Sequence, residues 1–375
     1  MTTYYTKQLF DGQTLHHNCV LTTESGRVKS IENNLSFTGD AFDGIICPGF
    51  IDTQVNGGGG FMLNHDPSRK AVDGIAKAHQ QFGTTALLPT LITDRQDKML
   101  VAADTIAAAI AGNHQSVIGV HFEGPHLSTA KRGIHSSDSI RKINDNDIDM
   151  YLRNDLGKVM LTIAPESLSP DIIKELSEKG VFISLGHSNA DVDTVIAAID
   201  AGATAFTHLF NAMSGLKARE PGMIGAALIH QHAYVGLIAD MHHVHPANCL
   251  LAANCIGADR LMLVTDAMAH VGSAMQNMKW ENTVITRYGE KLLTEEGTFA
   301  GSCLDMANAV KNMVNQVGIE LGEVLKMATS TPAQFLNLTG RGVLKPGCRA
   351  DFVHLDHNLS VRQCWVGGQP MLDNN

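Results

Sequence analysis

From residue 45 onward the chain repeats one pattern: a short, nearly unbroken apolar run ends in Gly or polar residues and gives way to helical spacing. Eight such runs occur, IICPGFIDTQV (45–55), TTALLPTLI (84–92), SVIGVHFEG (116–124), KVMLTIAPE (158–166), VFISLGHS (181–188), TAFTHLFNA (204–212), YVGLIADMHH (234–243) and RLMLVTDAM (260–268). Apolar strands without alternation belong to a parallel sheet whose outer face is covered. Segments such as RKAVDGIAKAHQQFG, DIIKELSEKG, DVDTVIAAIDAG and PANCLLAANCIG lie between them, and Gly83, Gly180, Gly202 and Gly257 stand where helix C-caps are wanted. Strands alternating with helices predict an α/β fold, a (β/α)8 TIM-like barrel, with an open doubly wound sheet as its rival.

The two ends of the chain follow a different pattern. Residues 1–44 and 342–370 read as short strands and turns, with SGR (25–27) a hairpin tip. Neither piece is large enough for its own core. The expectation is therefore a small β-sandwich domain built from 1–44 plus 342–375, beside a catalytic barrel of residues 45–341. A further strand pair is expected at 282–300, as a lid or edge insertion after the eighth strand.

Barrels of this kind do chemistry at the C-terminal ends of their strands. Read in order, those ends present Gln54 and Asn56, Glu123, Glu166, His187, His208 with Asn211, His242 and His243, and Asp266. A buried carboxylate such as Glu123 is costly unless a cation or several donors meet it. Glu123, His187 and His208, from strands three, five and six, form an O,N,N ligand set for a divalent metal with room left for water. Taken singly, each also has an ordinary role, Glu123 as a cap or surface acid and either His as a structural strand-end residue. In GHSNAD, Ser188 or Asn189 also offers a helix N-cap.

Asp266 is either a general base beside the metal site or a buried acid bonded to loop amides. His135, in RGIH, either polarises a substrate carbonyl or is a solvated loop residue. VNGGGGF (55–61) has neither P-loop nor dinucleotide spacing, and its glycines fit close backbone approach instead. Asn211, Ala212, Arg219 and His243 would make a better anion site, from loop amides, a guanidinium fork and a switchable cation.

Composition narrows the reading. With 44% apolar and 18% charged residues in 375, the chain suits one sizeable core. A net charge of -10 argues against nucleic-acid or anionic-membrane partners. No run approaches a membrane span, and the start lacks a signal-peptide pattern. Seven scattered cysteines without CxxC pairs read as reduced thiols in a cytoplasmic protein.

The motifs PGFIDTQVNG, LPTLIT, GVHFEGPHL, KRGIH, LGHSNA, THLFNAM, REPGMIGAAL, LVTDAM and GTFAGS, in this order, resemble the N-acetylglucosamine-6-phosphate deacetylase family of the amidohydrolase superfamily. The resemblance implies hydrolysis of N-acetyl-D-glucosamine 6-phosphate to glucosamine 6-phosphate and acetate, by a homodimer. It places the metal ligands on Glu123, His187 and His208, the acid/base on Asp266 and the carbonyl-polarising histidine on His135. Sugar-phosphate contacts fall on Asn211, Ala212, Arg219 and His243, with Gln54 close by, and the partner subunit is a candidate source of the arginine. Many superfamily members carry HxH on strand one and hold two metals. Here that position reads Gln54-Val55-Asn56, and strand four ends Ala164-Pro165-Glu166 without a bridging lysine. One divalent ion per subunit is expected, zinc or ferrous iron. The alternatives are an amidohydrolase acting on another N-acetyl amino sugar or a cyclic amide, or a non-catalytic sugar-phosphate sensor.

Overall fold

The computed structural model describes residues 1–35 and 41–372; residues 36–40 and 373–375, within the two expected terminal pieces, lie outside the described residues. Each of the eight apolar runs contains one strand of a single parallel sheet. These strands are β1 (Phe50–Val55), β2 (Thr84–Ile92), β3 (Gly119–Glu123), β4 (Lys158–Ile163), β5 (Phe182–Leu185), β6 (Ala205–Phe206), β7 (Tyr234–Ile238) and β8 (Leu261–Val264). They neighbour one another in sequence order, as a barrel requires. Every residue of β2 and β3 is buried, which is why these strands show no polar alternation.

Helices pack outside the sheet. Ser68 caps Arg69–Gln80 by accepting from the Ala71 amide. The helix Val192–Asp200 is capped by Asp191, not by Ser188 or Asn189 as the sequence suggested. Ser188 instead donates to Glu166 Oε2 at 2.6 Å, and the Asn189 amide donates to the other oxygen at 2.9 Å. The Glu166 carboxylate thus fastens this loop, and the Ser188 oxygen accepts from the Ala190 amide at 3.0 Å within it. Gly83, Gly180, Gly202 and Gly257 all take positive φ where helices stop.

The chain ends meet in a second, seven-stranded sheet. Phe42–Pro48 pairs antiparallel with Phe352–Leu355 and parallel with Thr2–Phe10, and then runs straight into β1. The expected hairpin tip is a two-residue turn with positive φ at Ser25 and Gly26. Leu9, Leu21, Ile46, Phe352 and Trp365 belong to a separate small core. The Phe352 and Trp365 rings stack at 4.4 Å, worth about 0.5–1.5 kcal/mol beyond burial.

The insertion after β8 is a three-stranded antiparallel meander, Asn277–Trp280, Thr283–Tyr288 and Lys291–Leu293, rather than a strand pair. The extra strand is Asn277–Trp280, which lies just before the expected range. Trp280 ties it to the loop after β3 by donating to the Ile134 carbonyl at 3.2 Å. Among the described residues no helix is long and apolar enough to cross a membrane.

Candidate metal centre and active site

Glu123 ends β3, and His187 and His208 follow β5 and β6, so the tips of three strands deliver three side chains to one point. Glu123 Oε1 lies 3.3 Å from His187 Nε2 and 3.1 Å from His208 Nε2, and the two nitrogens are 3.0 Å apart. Donors at metal distances of about 2.0–2.2 Å in a tetrahedron are separated by roughly 3.3–3.6 Å, so this triangle is close to, and slightly tighter than, a tetrahedral ligand face. His187 Nδ1 is 2.8 Å from the Lys131 carbonyl and must donate to it, which leaves Nε2 as the lone-pair nitrogen. All three side chains are nearly fully buried.

The backbone is bent to achieve this. His187, His208, Ala212 and Asp266 all have positive φ, between 35° and 52°. Non-glycine residues in this region cost on the order of 1–3 kcal/mol each and cluster at functional sites. Four occurrences at the mouth of one barrel point to geometry set by the site rather than by backbone preference.

Asp266, just past β8, faces Glu123 through shared donors. Gln54 Nε2 is 2.9 Å from Glu123 Oε1 and 3.1 Å from Asp266 Oδ1, and Asn56 Nδ2 is 2.6 Å from the same Asp266 oxygen. Burial, and then repulsion from Glu123, push the Asp266 pKa up to about 6. Burial also opposes ionisation of Glu123, but the surrounding imidazoles of His187, His208 and His135, when they carry charge, outweigh it and hold this carboxyl well below the usual range. Two nearby carboxyls are thus pushed apart in pKa, as suits distinct ligand and acid–base roles.

His135 is buried in the same cluster, with Nε2 4.0 Å from Glu123 Oε2 and its ring centroid 4.3 Å from that of His187. Glu123, His135 and His187 also lie close enough together to hold an ion. The Thr93 hydroxyl donates its one proton to the Glu123 carbonyl at 3.0 Å, so at 2.8 Å it accepts from His135 Nδ1. The network therefore assigns the proton to Nδ1 in the neutral ring and leaves Nε2 bare toward the site. Burial, then His187, lower the pKa of His135 well below its ordinary value.

These groups line a cavity of about 170 Å³ together with Asn56, Asn211, Ala212, His243, Thr298 and Phe299. His243 Nδ1 bonds Asp240 Oδ2 at 2.6 Å, and its ring lies against Phe299. A larger neighbouring cavity of about 510 Å³ includes Asp240, His270 and Asp305 in its wall but none of the ligand residues or Asp266. Chemistry, not size, marks the site.

The fold thus assembles Gln54, Glu123, His135, His187, His208, Asn211, Ala212, His243 and Asp266 around one cavity or in contact with it. Arg219 stands apart, exposed on the loop that precedes Gly222–Ile229 and outside the cavity wall. Asn56, at a strand tip, has no role assigned from the sequence, and nothing in the sequence singles out Thr93, one residue past β2. Thr298 and Phe299 come from irregular chain after the meander, where no periodicity marks them. Gly57, in the glycine run, does make the expected close approach: a Cβ there would sit 2.7 Å from the Ala269 amide nitrogen.

Known proteins resemble this chain over nearly its whole length. The chain is 44% identical over 370 residues to an N-acetylgalactosamine-6-phosphate deacetylase of Shewanella sp. strain ANA-3, covering 97% of this chain and 94% of the relative. It is 32% identical over 386 residues to an N-acetylglucosamine-6-phosphate deacetylase of Vibrio furnissii, covering 98% and 94%. The crystal structure of the Pasteurella multocida N-acetylglucosamine-6-phosphate deacetylase superposes with a TM-score of 0.93 at 30% identity, over 98% of this chain and 99% of the other. A mutant of the Mycobacterium smegmatis enzyme, in complex with N-acetyl-D-glucosamine-6-phosphate, matches with a TM-score of 0.93 at 30% identity, over 99% of each chain. Residues 45–371 match the family model described as "Amidohydrolase family", and with a buried carboxylate–histidine cluster at the mouth of its barrel this chain belongs to that family.

Proposed function

We propose that this protein removes the acetyl group from N-acetyl-D-glucosamine 6-phosphate, releasing acetate and the free amino sugar phosphate. The observation that carries the reading is the triangle of Glu123 Oε1, His187 Nε2 and His208 Nε2 beside Asp266 in one cavity. Carboxylate and imidazole donors at tetrahedral spacing suit a single divalent ion, zinc before ferrous iron. Such an ion supplies Lewis acidity, which makes water a better nucleophile near neutral pH and polarises an amide carbonyl.

The chain's own groups do the rest. Asp266 Oδ1 is engaged by the Gln54 and Asn56 amides, which leaves Oδ2 to take a proton from attacking water and return it to the leaving nitrogen. His135 stabilises the developing oxyanion when its Nε2 carries a proton, which burial and then His187 oppose and Glu123 favours. His243, oriented by Asp240, and Asn211 hold the sugar phosphate. Arg219, exposed and away from its own cavity, serves the site of the neighbouring subunit in a homodimer. The division into a terminal β domain and a barrel of 45–341 belongs to the same reading. So does a cytoplasmic location, which seven free thiols favour.

A second reading, N-acetyl-D-galactosamine 6-phosphate, is favoured by the higher identity to a deacetylase of that name, 44% against 32%. The two sugars differ only at C4, remote from the amide. Acetate release from both phosphosugars and from unphosphorylated N-acetylglucosamine separates the cases. A kcat/KM at least about tenfold higher for one epimer names the substrate. Equal rates with and without phosphate would reject the phosphosugar assignment.

A further inference from the structure

The barrel sheet does not close on itself by a regular ladder, for β1 and β8 stand at its two ends. One parallel bridge joins Val55 to Ala267. Two backbone bonds support it, Asp266 N to Gln54 O at 2.9 Å and Gly57 N to Ala267 O at 2.8 Å. Side chains make up the rest of the join, and besides the Gln54 and Asn56 amides on Asp266, Asp52 spans it. Asp52 Oδ1 accepts from the Gln54 amide at 3.1 Å and from the Thr265 amide at 3.3 Å, while Oδ2 accepts from the Thr265 hydroxyl at 2.5 Å.

Asp52 has no exposed surface, and all three of these donors are neutral. Burial pushes its pKa up to about 7. A carboxyl in such a place is expensive for stability alone, since an apolar side chain could fill the same volume without the desolvation cost. What distinguishes Asp52 is what it grips. One partner is Gln54 itself, whose side chain reaches both carboxylates of the site. The other is Thr265, the residue before Asp266, whose backbone is held at φ 52° against its own preference. On the β2 side, β1 slips register between Asp52 and Val55, so Thr53 and Gln54 lie between the paired positions Asp52–Leu87 and Val55–Pro89.

We infer that Asp52 is a positioning residue, a side-chain clasp across the barrel seam that sets Gln54 and Asp266 at their working separation. The inference rests on the deacetylase reading for its kinetic consequence but not for its geometry.

The test uses zinc-loaded, full-length Thr265→Val and Asp52→Ala, with Thr265→Ser as the conservative control. Substrates are the 6-phosphates of N-acetylglucosamine and N-acetylgalactosamine. A misplaced catalytic group should lower kcat by about 10- to 100-fold in both Thr265→Val and Asp52→Ala, with KM within about threefold and zinc per chain unchanged. Thr265→Ser, which keeps the hydroxyl, should recover kcat to within about threefold of wild type. The inference fails if kcat per zinc-loaded chain is unaffected in the first two variants, or if Thr265→Ser falls as far as Thr265→Val.

A crystal structure of Thr265→Val supplies a readout that needs no substrate. The Gln54 Nε2 to Asp266 Oδ1 separation, 3.1 Å here, should widen by more than about 0.5 Å, and an unchanged separation overturns the clasp. If the wild type releases acetate from neither sugar, the functional reading falls while the clasp is still judged on that distance.

Discussion

Glu123 and Asp266 are bridged by a single nitrogen: Gln54 Nε2 stands 2.9 Å from one carboxylate and 3.1 Å from the other. Both acids are buried, and without the amide their charges would face each other with less compensation. Burial, and then repulsion from Glu123, push the Asp266 pKa up to about 6, and the bridge moderates the second of these. Gln54→Leu should raise this pKa further, because a hydrogen bond to the charged form is lost. The acid limb of kcat/KM should move to higher pH by about one unit. A limb that stays in place would show that the bridge does not tune Asp266.

Asp266→Asn keeps the shape of the side chain but cannot accept a proton. Turnover should fall by roughly 100- to 10,000-fold. Because Asp266 lies outside the triangle of Glu123, His187 and His208, metal per chain should be unchanged by elemental analysis. Near-normal turnover would remove Asp266 from the mechanism.

The sign of the wild-type pH dependence follows from the same group. Asp266 has a usual pKa of 3.8, raised in the fold to about 6, and it must be ionised to act as a base. Activity is therefore lost as pH falls through that value, about tenfold per unit. A bound cation lowers the pKa, so the limb should lie between about pH 4 and 6. An apparent pKa above about 7 in a kcat/KM profile contradicts the assignment.

Chelation should both inactivate and destabilise the protein. An ion present at a hundredfold above its Kd adds about 2.7 kcal/mol to the folded state. Removing it should lower Tm by about 3 °C in a thermal melt. In His208→Ala, which removes one corner of the triangle, the same chelator should leave Tm almost unmoved.

Arg219→Ala should leave folding and metal content unaltered, since the side chain is exposed. If this guanidinium grips phosphate across a dimer, KM for the phosphosugar should rise by 10-fold or more, about 1.5–3 kcal/mol for a charged hydrogen bond. Mixing Arg219→Ala with Asp266→Asn chains should restore part of the activity, and no recovery would place the arginine elsewhere.

Strand order, the barrel class and the convergence of Glu123, His187 and His208 were legible in the chain because each rests on local pattern. Unbroken apolar runs need a covered parallel sheet, and polar residues at the tips of such runs converge wherever the strands do. The same logic located Asp266 and Gln54 without showing that one amide touches two acids. The cap of Val192–Asp200 is not the expected one because the helix begins only at Val192: Asp191 stands directly before it and accepts from the Thr194 amide, while the Ser188 oxygen accepts from the Ala190 amide in the loop before it.

The sequence by itself determined where strands and helices lie and which polar residues reach the barrel mouth, since those follow from hydrophobic period and turn chemistry. Only the tertiary structure decided the left-handed backbone at His187, His208 and Asp266, the tautomer that Thr93 imposes on His135, and the Asp52 clasp at the seam. Each of these depends on atoms brought within about 3 Å from segments far apart in the chain. No local pattern encodes such a distance, because it is the closure of the barrel that creates it.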